Sequence, residues 1–150
     1  MKSLRLILSN PRYFGPAWVF ASLNFWFGTW AIYIPTVKEQ LGIDKAKLGF
    51  AIFFLSLGIF TIFPVAARIV NRLGVGRATW YGVVASSVFA FFPLVAPNYY
   101  ALMVALFFFG ACNGLTDIAM NTLVTEIEKE DGQKFMSAAH GFFSLGGVLA

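Results

Sequence analysis

Charged residues are scarce in this chain of 150 residues, because Asp, Glu, Lys and Arg together make up only 12% of it. Soluble domains average about 25% charged residues, so the sequence excludes an ordinary water-soluble globule. Hydrophobic residues account for 59% of the chain and aromatic residues for 18%, and the mean hydropathy is +0.74. Long apolar runs of this kind need lipid as their solvent and must satisfy their backbone groups as helices. We therefore expect an all-α membrane protein.

Cysteine is almost absent, since Cys112 is the single example and lies in an apolar stretch. An intrachain disulfide and a cysteine-type metal site are therefore excluded. The sequence also lacks a phosphate-binding Walker loop, a His-x-x-x-His pair, a nucleophile elbow and a dinucleotide-binding fingerprint. We expect no enzyme, no metal and no cofactor. The 11 basic residues exceed the 7 acidic ones, but they lie between apolar runs, so they indicate topology and not nucleic-acid binding.

Apolar runs long enough for membrane helices recur along the chain. Asn10-Pro11-Arg12 ends the first short run too early for a signal peptide, so the following segment should be retained as a span. Asp44 is expected to cap a helix that begins at Lys45, and Pro97-Asn98 indicates a turn. The polar run 125–134 is expected to be a solvated loop. These signals predict four complete transmembrane helices and part of a fifth, at residues 17–35, 48–70, 78–96, 99–124 and 135–150.

The distribution of Lys and Arg predicts the orientation, since cytoplasmic loops carry the excess of basic residues. If the N-terminus is inside, the inner segments hold eight basic residues: Lys2, Arg5, Arg12, Arg68, Arg72, Arg77, Lys129 and Lys134. The outer loops then hold three: Lys38, Lys45 and Lys47. We therefore expect a multi-pass protein of the inner (plasma) membrane with a cytoplasmic N-terminus.

The connection between the second and third segments is short and basic, and it contains Asn71, Arg72, Gly74, Gly76 and Arg77. Two glycines permit a tight turn with positive φ, and the arginines could cap helix C-termini or pair with an acid. Plain anchoring by the positive-inside rule would explain the same residues. The stretch resembles the signature loop Gly-x-x-x-Asp-Arg-x-Gly-Arg of the major facilitator superfamily. Asn71, Arg72 and Gly74 fall on its Asp, Arg and second Gly, while Arg77 comes two residues late.

The fourth segment carries three polar residues, Asn113, Asp117 and Asn121, at a spacing of four residues. At 100° per residue they form a narrow polar stripe. An ionisable group within a span costs about 2.5 to 3.5 kcal/mol even on the milder insertion scales, so Asp117 should face the bundle interior or a wet cavity. A carboxylate that leaves water binds a proton more readily, which suits a proton-coupled cycle. An interhelical hydrogen bond is the structural alternative.

The same segment is similar to the fucose:proton symporter branch of that superfamily, whose fourth helix carries Gly-x-x-Glu-x-x-x-Asn. Gly114, Asp117 and Asn121 fall on the Gly, the acid and the Asn. The resemblance implies that Asp117 is the proton site. The branch places a second acid four residues before a proline in the first helix, where this chain has Ala31. The arginine of proton-driven drug antiporters is replaced by Phe107, which argues against multidrug efflux.

Further candidates lie in the first and fifth segments. Asn24 with the aromatic stripe of Trp26, Trp30 and Tyr33 suits a sugar-like solute, which has apolar C–H faces and hydroxyl groups. Aromatic residues in spans also form lipid-facing or interfacial belts, which is the alternative. His140 could titrate near neutral pH on the same inner side as Asp117, or it could simply form a hydrogen bond near the helix end.

Two functions remain open from the sequence. The first is a secondary transporter, such as a proton-coupled symporter for a small polar solute like a sugar, which works by alternating access. For this function the resemblance implies a bundle of two six-helix halves, so the missing C-terminal half would be a necessary partner. The second is a non-transporting membrane protein, a sensor or assembly partner, that pairs helices through the polar stripe. Apart from these partners we expect the lipid bilayer, and no nucleic acid.

Overall fold

The computed structural model describes residues 2–150, and within that range the regular structure is entirely helical, which confirms the all-α fold. A short helix α1 precedes five longer ones, and a 3-10 helix, Phe92–Val95, extends α4. The α-helices are α1 (Lys2–Ser9), α2 (Pro11–Gln40), α3 (Lys45–Leu73), α4 (Val75–Phe91), α5 (Tyr99–Asp131) and α6 (Met136–Leu149).

Helices α2 to α6 run alternately up and down. The near end of the bundle holds α1, the α3–α4 turn and the α5–α6 connection, and the far end holds the other two connections. The helix starts have local causes. The side chain of Asn10 accepts a hydrogen bond from the backbone N–H of Arg12, and that of Asn98 accepts from Ala101. Asp44 accepts from the N–H of Lys47 at 2.7 Å, which confirms the predicted cap.

Three helical segments are long and apolar enough to cross a membrane: Lys45–Leu73, Val75–Val95 and Tyr99–Asp131. Helix α2 has 30 residues, or about 45 Å, which is long enough for a hydrocarbon core of about 30 Å. The 14 residues of helix α6, Met136–Leu149, cover about 21 Å. Four helices are therefore long enough to span, and three of them are also strongly apolar.

The boundaries differ from the predicted segments in several places. The predicted loop at 125–134 is wrong, because α5 continues through this polar run to Asp131 and ends at Gly132, whose φ is 62°. With 33 residues, α5 is about 50 Å long, so its last turns extend beyond the hydrocarbon core. Pro35 does not end α2, which continues to Gln40. The loop between α3 and α4 is reduced to Gly74.

Glycine allows close packing within two helix pairs. In the α3–α5 pair, a Cβ atom at Gly58 would overlap the carbonyl oxygen of Phe107, and one at Gly110 would overlap that of Leu55. In the α2–α6 pair, a Cβ atom at Gly146 would overlap the carbonyl oxygen of Ala21. Small residues let helix backbones approach in this way, and dispersion contacts then hold them together. These two pairs form the frame of the bundle.

Two core clusters connect the pairs. The near-end cluster joins α1, α2, α5 and α6, and includes Ile7, Tyr13, Phe20, Met120, Val124, Phe135 and Phe142. The far-end cluster joins α2, α3, α4 and α5, and includes Trp30, Val37, Leu55, Leu102, Leu106 and Phe109. Between these clusters lies the middle of α5, which carries the polar stripe.

Candidate functional site

The polar stripe of α5 lies between two packed faces of the helix. Gly110 and Gly114 contact α3, while Met120 and Val124 belong to the near-end cluster with α2 and α6. At 100° per residue, Asp117 falls angularly between these two faces. Its side chain is exposed. The helix therefore presents the carboxylate beside the crevice between the α3–α5 and α2–α6 pairs.

Asn121 holds one oxygen of the Asp117 carboxylate. Its Nδ2 donates to Asp117 Oδ1 at 3.1 Å and to the Asp117 backbone carbonyl at 2.8 Å. Among residues 2–150 the carboxylate accepts no other hydrogen bond and forms no ion pair within 4.0 Å. Asp117 therefore keeps its second oxygen free for a proton or a solute, while Asn121 fixes the orientation of the group.

Asn113, one turn before Asp117, has an unsatisfied donor. Its Nδ2 atom is buried and has no hydrogen-bond partner among the described residues. A buried amide N–H group without a hydrogen-bond partner lowers the stability of the protein by about 1 to 3 kcal/mol. Asn113 and Asp117 are one helical turn apart on α5, and the donor of Asn113 becomes available to a hydroxylated molecule only when a change in helix packing exposes it.

His140 is exposed on the second turn of α6. Its ring packs against Phe20 of α2 with the ring centroids 4.5 Å apart. Among residues 2–150 no hydrogen bond and no ion pair within 4.0 Å joins His140 to Asp117. Their joint role in proton coupling stays a prediction.

Asn24 belongs to the α2–α6 contact. Its Nδ2 donates to the backbone carbonyl of Phe143 at 2.9 Å. Gly147 leaves space for this amide, because a Cβ atom there would lie 2.6 Å from Asn24 Nδ2. The carbonyl oxygen of the Asn24 side chain has no hydrogen-bond donor within the described residues. The Oδ1 atom of Asn24 is therefore available to accept a hydrogen bond from a solute.

The aromatic stripe of α2 is divided between different environments. Trp26 donates its indole N–H to Ser87 Oγ of α4 at 3.0 Å and packs 5.2 Å from Phe91 between ring centroids. Trp30 is only 3% exposed within the far-end cluster, and Tyr33 is exposed. Trp26 and Trp30 thus take part in helix packing, and their role in solute binding stays a prediction.

The signature loop is a tight turn of one residue. Gly74 adopts φ 81°, and its N–H donates to the Val70 carbonyl at 2.8 Å. Gly76 lies inside α4, so one glycine and not two supplies the positive φ. Asn71, Arg72 and Arg77 are exposed, and their side chains form no hydrogen bond or ion pair within residues 2–150. They face outward at the near end.

A polar network at the near end was missed in the sequence analysis. Arg12 forms ion pairs with Glu130 and, at 3.0 Å, with Asp131. The phenol of Tyr13 donates to the same Asp131 oxygen at 2.8 Å. That hydrogen bond and Arg12 lower the pKa of Asp131. The network joins the start of α2 to the end of α5. A basic residue and an acidic run on the same predicted side were the signal that could have revealed it.

Glu128 caps helix α6. Its carboxylate Oε1 accepts hydrogen bonds from the backbone N–H groups of Phe135 and Met136, at 2.5 and 2.7 Å. These donors have no partner within α6, and a negative charge at a helix N-terminus is favourable. The acidic run therefore positions α6, and with it His140, relative to α5.

Comparisons with known proteins identify relatives. The model of the Major Facilitator Superfamily matches residues 12–150. The uncharacterized transporter y4wD of Sinorhizobium fredii is 35% identical over 122 residues, which are 81% of this chain and 32% of that protein. An uncharacterized MFS-type transporter of Yersinia pestis is 32% identical over 80% of this chain and 31% of its own length. Membrane protein MosC of Rhizobium meliloti is 26% identical over 81% of this chain and 30% of its own.

No solved structure matches the chain. The chain spans about a third of the length of these curated relatives. The family and the printed names of two relatives confirm the expectation that the protein is not an enzyme. They also confirm a multi-pass membrane protein, in agreement with the apolar helices. The match covers nearly the whole sequence, and this chain belongs to the major facilitator superfamily.

Proposed function

We propose that the chain forms the N-terminal part of a secondary transporter that couples a small polar solute to protons by alternating access. The observation that carries this proposal is the free oxygen of the Asp117 carboxylate, about 27 Å from one end of α5 and 21 Å from the other. An acid placed this deep in a membrane helix is costly and marks a functional site by default.

Asp117 is the proton-binding group of this proposal, and His140 of α6 is the second candidate for proton coupling. Protonation of Asp117 removes the negative charge, which changes its ability to accept hydrogen bonds. Asn121 keeps the carboxylate in place in both states. Proton binding can therefore be linked to solute binding at the same turn of α5.

A neutral solute with several hydroxyl groups fits the remaining groups best. The free oxygens of Asp117 and Asn24 accept, and the buried amide of Asn113 donates once a change in helix packing exposes it. A hydroxyl group can play both roles, whereas the anionic group of a charged solute would be repelled by ionised Asp117 and can only accept hydrogen bonds. We therefore propose a sugar or similar polyol as the solute.

The membrane orientation belongs to the same proposal. The structure places Lys38, Lys45 and Lys47 at the far end of the bundle and the other eight basic residues of the sequence at the near end. By the positive-inside rule the near end faces the cytoplasm of a bacterial inner membrane.

The test uses the full-length protein encoded by the gene that contains this chain. De-energised cells that express it receive D-glucose, D-galactose, L-fucose or D-xylose, and the external pH is recorded. One of these sugars should make the medium of the wild type more alkaline. Asp117→Asn should abolish this signal but retain exchange of the radiolabelled sugar, because the amide cannot take up a proton. Glu126→Gln, at an exposed acid near the end of the same helix, is the matched control.

Normal alkalinisation in Asp117→Asn would overturn the role of Asp117. If the reading frame ends near codon 150, the transporter proposal fails and the stripe is a helix-pairing surface of a sensor or assembly partner. In that case Asp117→Asn should change oligomerisation, which cross-linking in membranes would detect.

A further inference from the structure

Helix α1 is attached to the bundle by one face. Ile7 is fully buried in the near-end cluster, and Leu6 packs against the same cluster. Ser3 Oγ donates to the backbone carbonyl of Lys134, just before α6, at 3.0 Å. On a helical projection these three residues cover one side of α1. This side fixes the position of α1 at the near end.

The opposite side of α1 exposes apolar side chains instead of polar ones. Leu4 is 49% exposed and Leu8 is 63% exposed, and their spacing of four residues places them on neighbouring turns as one ridge. Arg5 lies about 60° beyond this ridge, followed by Ser9, and both are exposed. The exposed surface therefore changes from leucine to arginine to serine around the helix.

The location of α1 explains this order of residues. Only Asn10 separates α1 from α2, which enters the membrane, so α1 lies beside the membrane surface at the near end. A helix in that plane buries apolar side chains at the acyl boundary and keeps basic ones among the headgroups. Both charged residues of α1, Lys2 and Arg5, are basic. Their charge complements anionic headgroups.

We propose that α1 is an interfacial anchor that binds anionic phospholipids of the near-end leaflet. Leu4 and Leu8 insert at the acyl boundary, and the guanidinium of Arg5 bonds to lipid phosphate oxygens. Ser9 faces the water. Because Ile7 and Ser3 attach α1 to α6 and its preceding connection, the lipid surface also holds the start of α6. This anchor requires no solute and no proton, so it is independent of the proposed transport.

The depth of α1 can be measured in the full-length protein reconstituted into vesicles of phosphatidylcholine with phosphatidylglycerol. A fluorophore is attached at Leu8→Cys or, as the matched control, at Ser9→Cys, in a background in which Cys112 and every other native cysteine of the full-length protein are replaced by serine. Nitroxide groups on the lipid acyl chains should quench the Leu8 position several-fold more than the Ser9 position. Iodide in the water should show the reverse. Equal quenching at both positions, or stronger iodide quenching at Leu8, would overturn the anchor.

The charge requirement is tested by Arg5→Gln in the Leu8-labelled protein. The attraction of one basic residue to an anionic surface changes the ratio of lipid-quenched to unquenched label by about fivefold. We therefore expect Arg5→Gln to lower this ratio by that factor in vesicles with phosphatidylglycerol and to leave it unchanged in pure phosphatidylcholine. Arg72→Gln, at an exposed arginine of the α3–α4 turn, should leave the ratio unchanged. A loss of the same size in both lipids would refute the selectivity for anionic headgroups.

Discussion

The two close-packed helix pairs are built differently. In the α3–α5 pair both helices contribute a glycine, Gly58 from one and Gly110 from the other, so that backbone meets backbone in both directions. In the α2–α6 pair only Gly146 of α6 would overlap the backbone of its partner helix, whereas Gly147 and Gly28 leave space for the side chains of Asn24 and Ala150. There α2 contributes an amide side chain, Asn24, which donates to α6. The α3–α5 contact consists of dispersion contacts between backbones. The α2–α6 contact adds a side-chain hydrogen bond that a solute could replace.

This difference bears on the proposed site, since its groups are divided between the pairs. Asn113 and Asp117 lie on α5, which packs against α3 through backbone contacts that a solute cannot replace. Asn24 and His140 lie on the pair whose contact includes a side-chain bond that a solute could replace. A displacement of α6 against α5 would change the separation of His140 and Asp117. We expect the α2–α6 pair to be the more adaptable half of the site.

The largest effect is expected from a methyl group inside the α3–α5 contact. Gly58→Ala forces the Phe107 carbonyl away, and overpacking of this kind typically costs about 1 to 3 kcal/mol. The melting temperature of the purified full-length protein in detergent should therefore fall. Gly49→Ala on the same helix, where a Cβ meets open space, is the control and should leave stability unchanged or raise it by about 0.5 to 1 kcal/mol. An unchanged melting temperature in Gly58→Ala would remove the basis for calling this pair the rigid one.

A smaller effect is expected at the α2–α6 contact. Gly147→Ala displaces the Asn24 amide from the Phe143 carbonyl and should cost about 0.5 to 1.5 kcal/mol, the usual net value of one hydrogen bond. Asn24→Ala removes the same bond, so the double variant should lose little more than either single one. Gly141→Ala, at an open position of α6, serves as the reference. Additive losses in the melting temperature would show that Gly147 and Asn24 act separately.

The smallest effect concerns the polar network that joins the two pairs at the near end. The pKa of Asp131 is lowered by its hydrogen bond from Tyr13 and by Arg12. A carboxyl whose pKa is lower in the folded state stabilises the protein above its unfolded pKa of about 3.9, and this contribution is lost as the pH falls through the folded pKa. The melting temperature should therefore drop below about pH 4, and Asp131→Asn should show a shallower drop than the wild type. Parallel pH profiles would exclude this contribution.

Local chemistry made much of the fold predictable. The cap at Asp44, the turn at Pro97-Asn98 and the apolar runs depend on neighbouring residues, and the structure agrees with them. The stripe on α5 also follows from spacing alone. The acidic run could not be assigned correctly, because Glu128, Glu130 and Asp131 act on residues from other helices. The environment of Trp26 likewise depends on Ser87, which is 61 positions away. Contacts between residues so far apart in the chain produce no recognisable pattern among neighbouring residues of the sequence.

The single-residue turn at Gly74 has a mechanical consequence. Because only Gly74 connects Leu73 to Val75, α3 and α4 cannot slide past each other along their axes and can rotate only about this residue. A displacement of the near end of α3 along its axis must therefore also displace the start of α4.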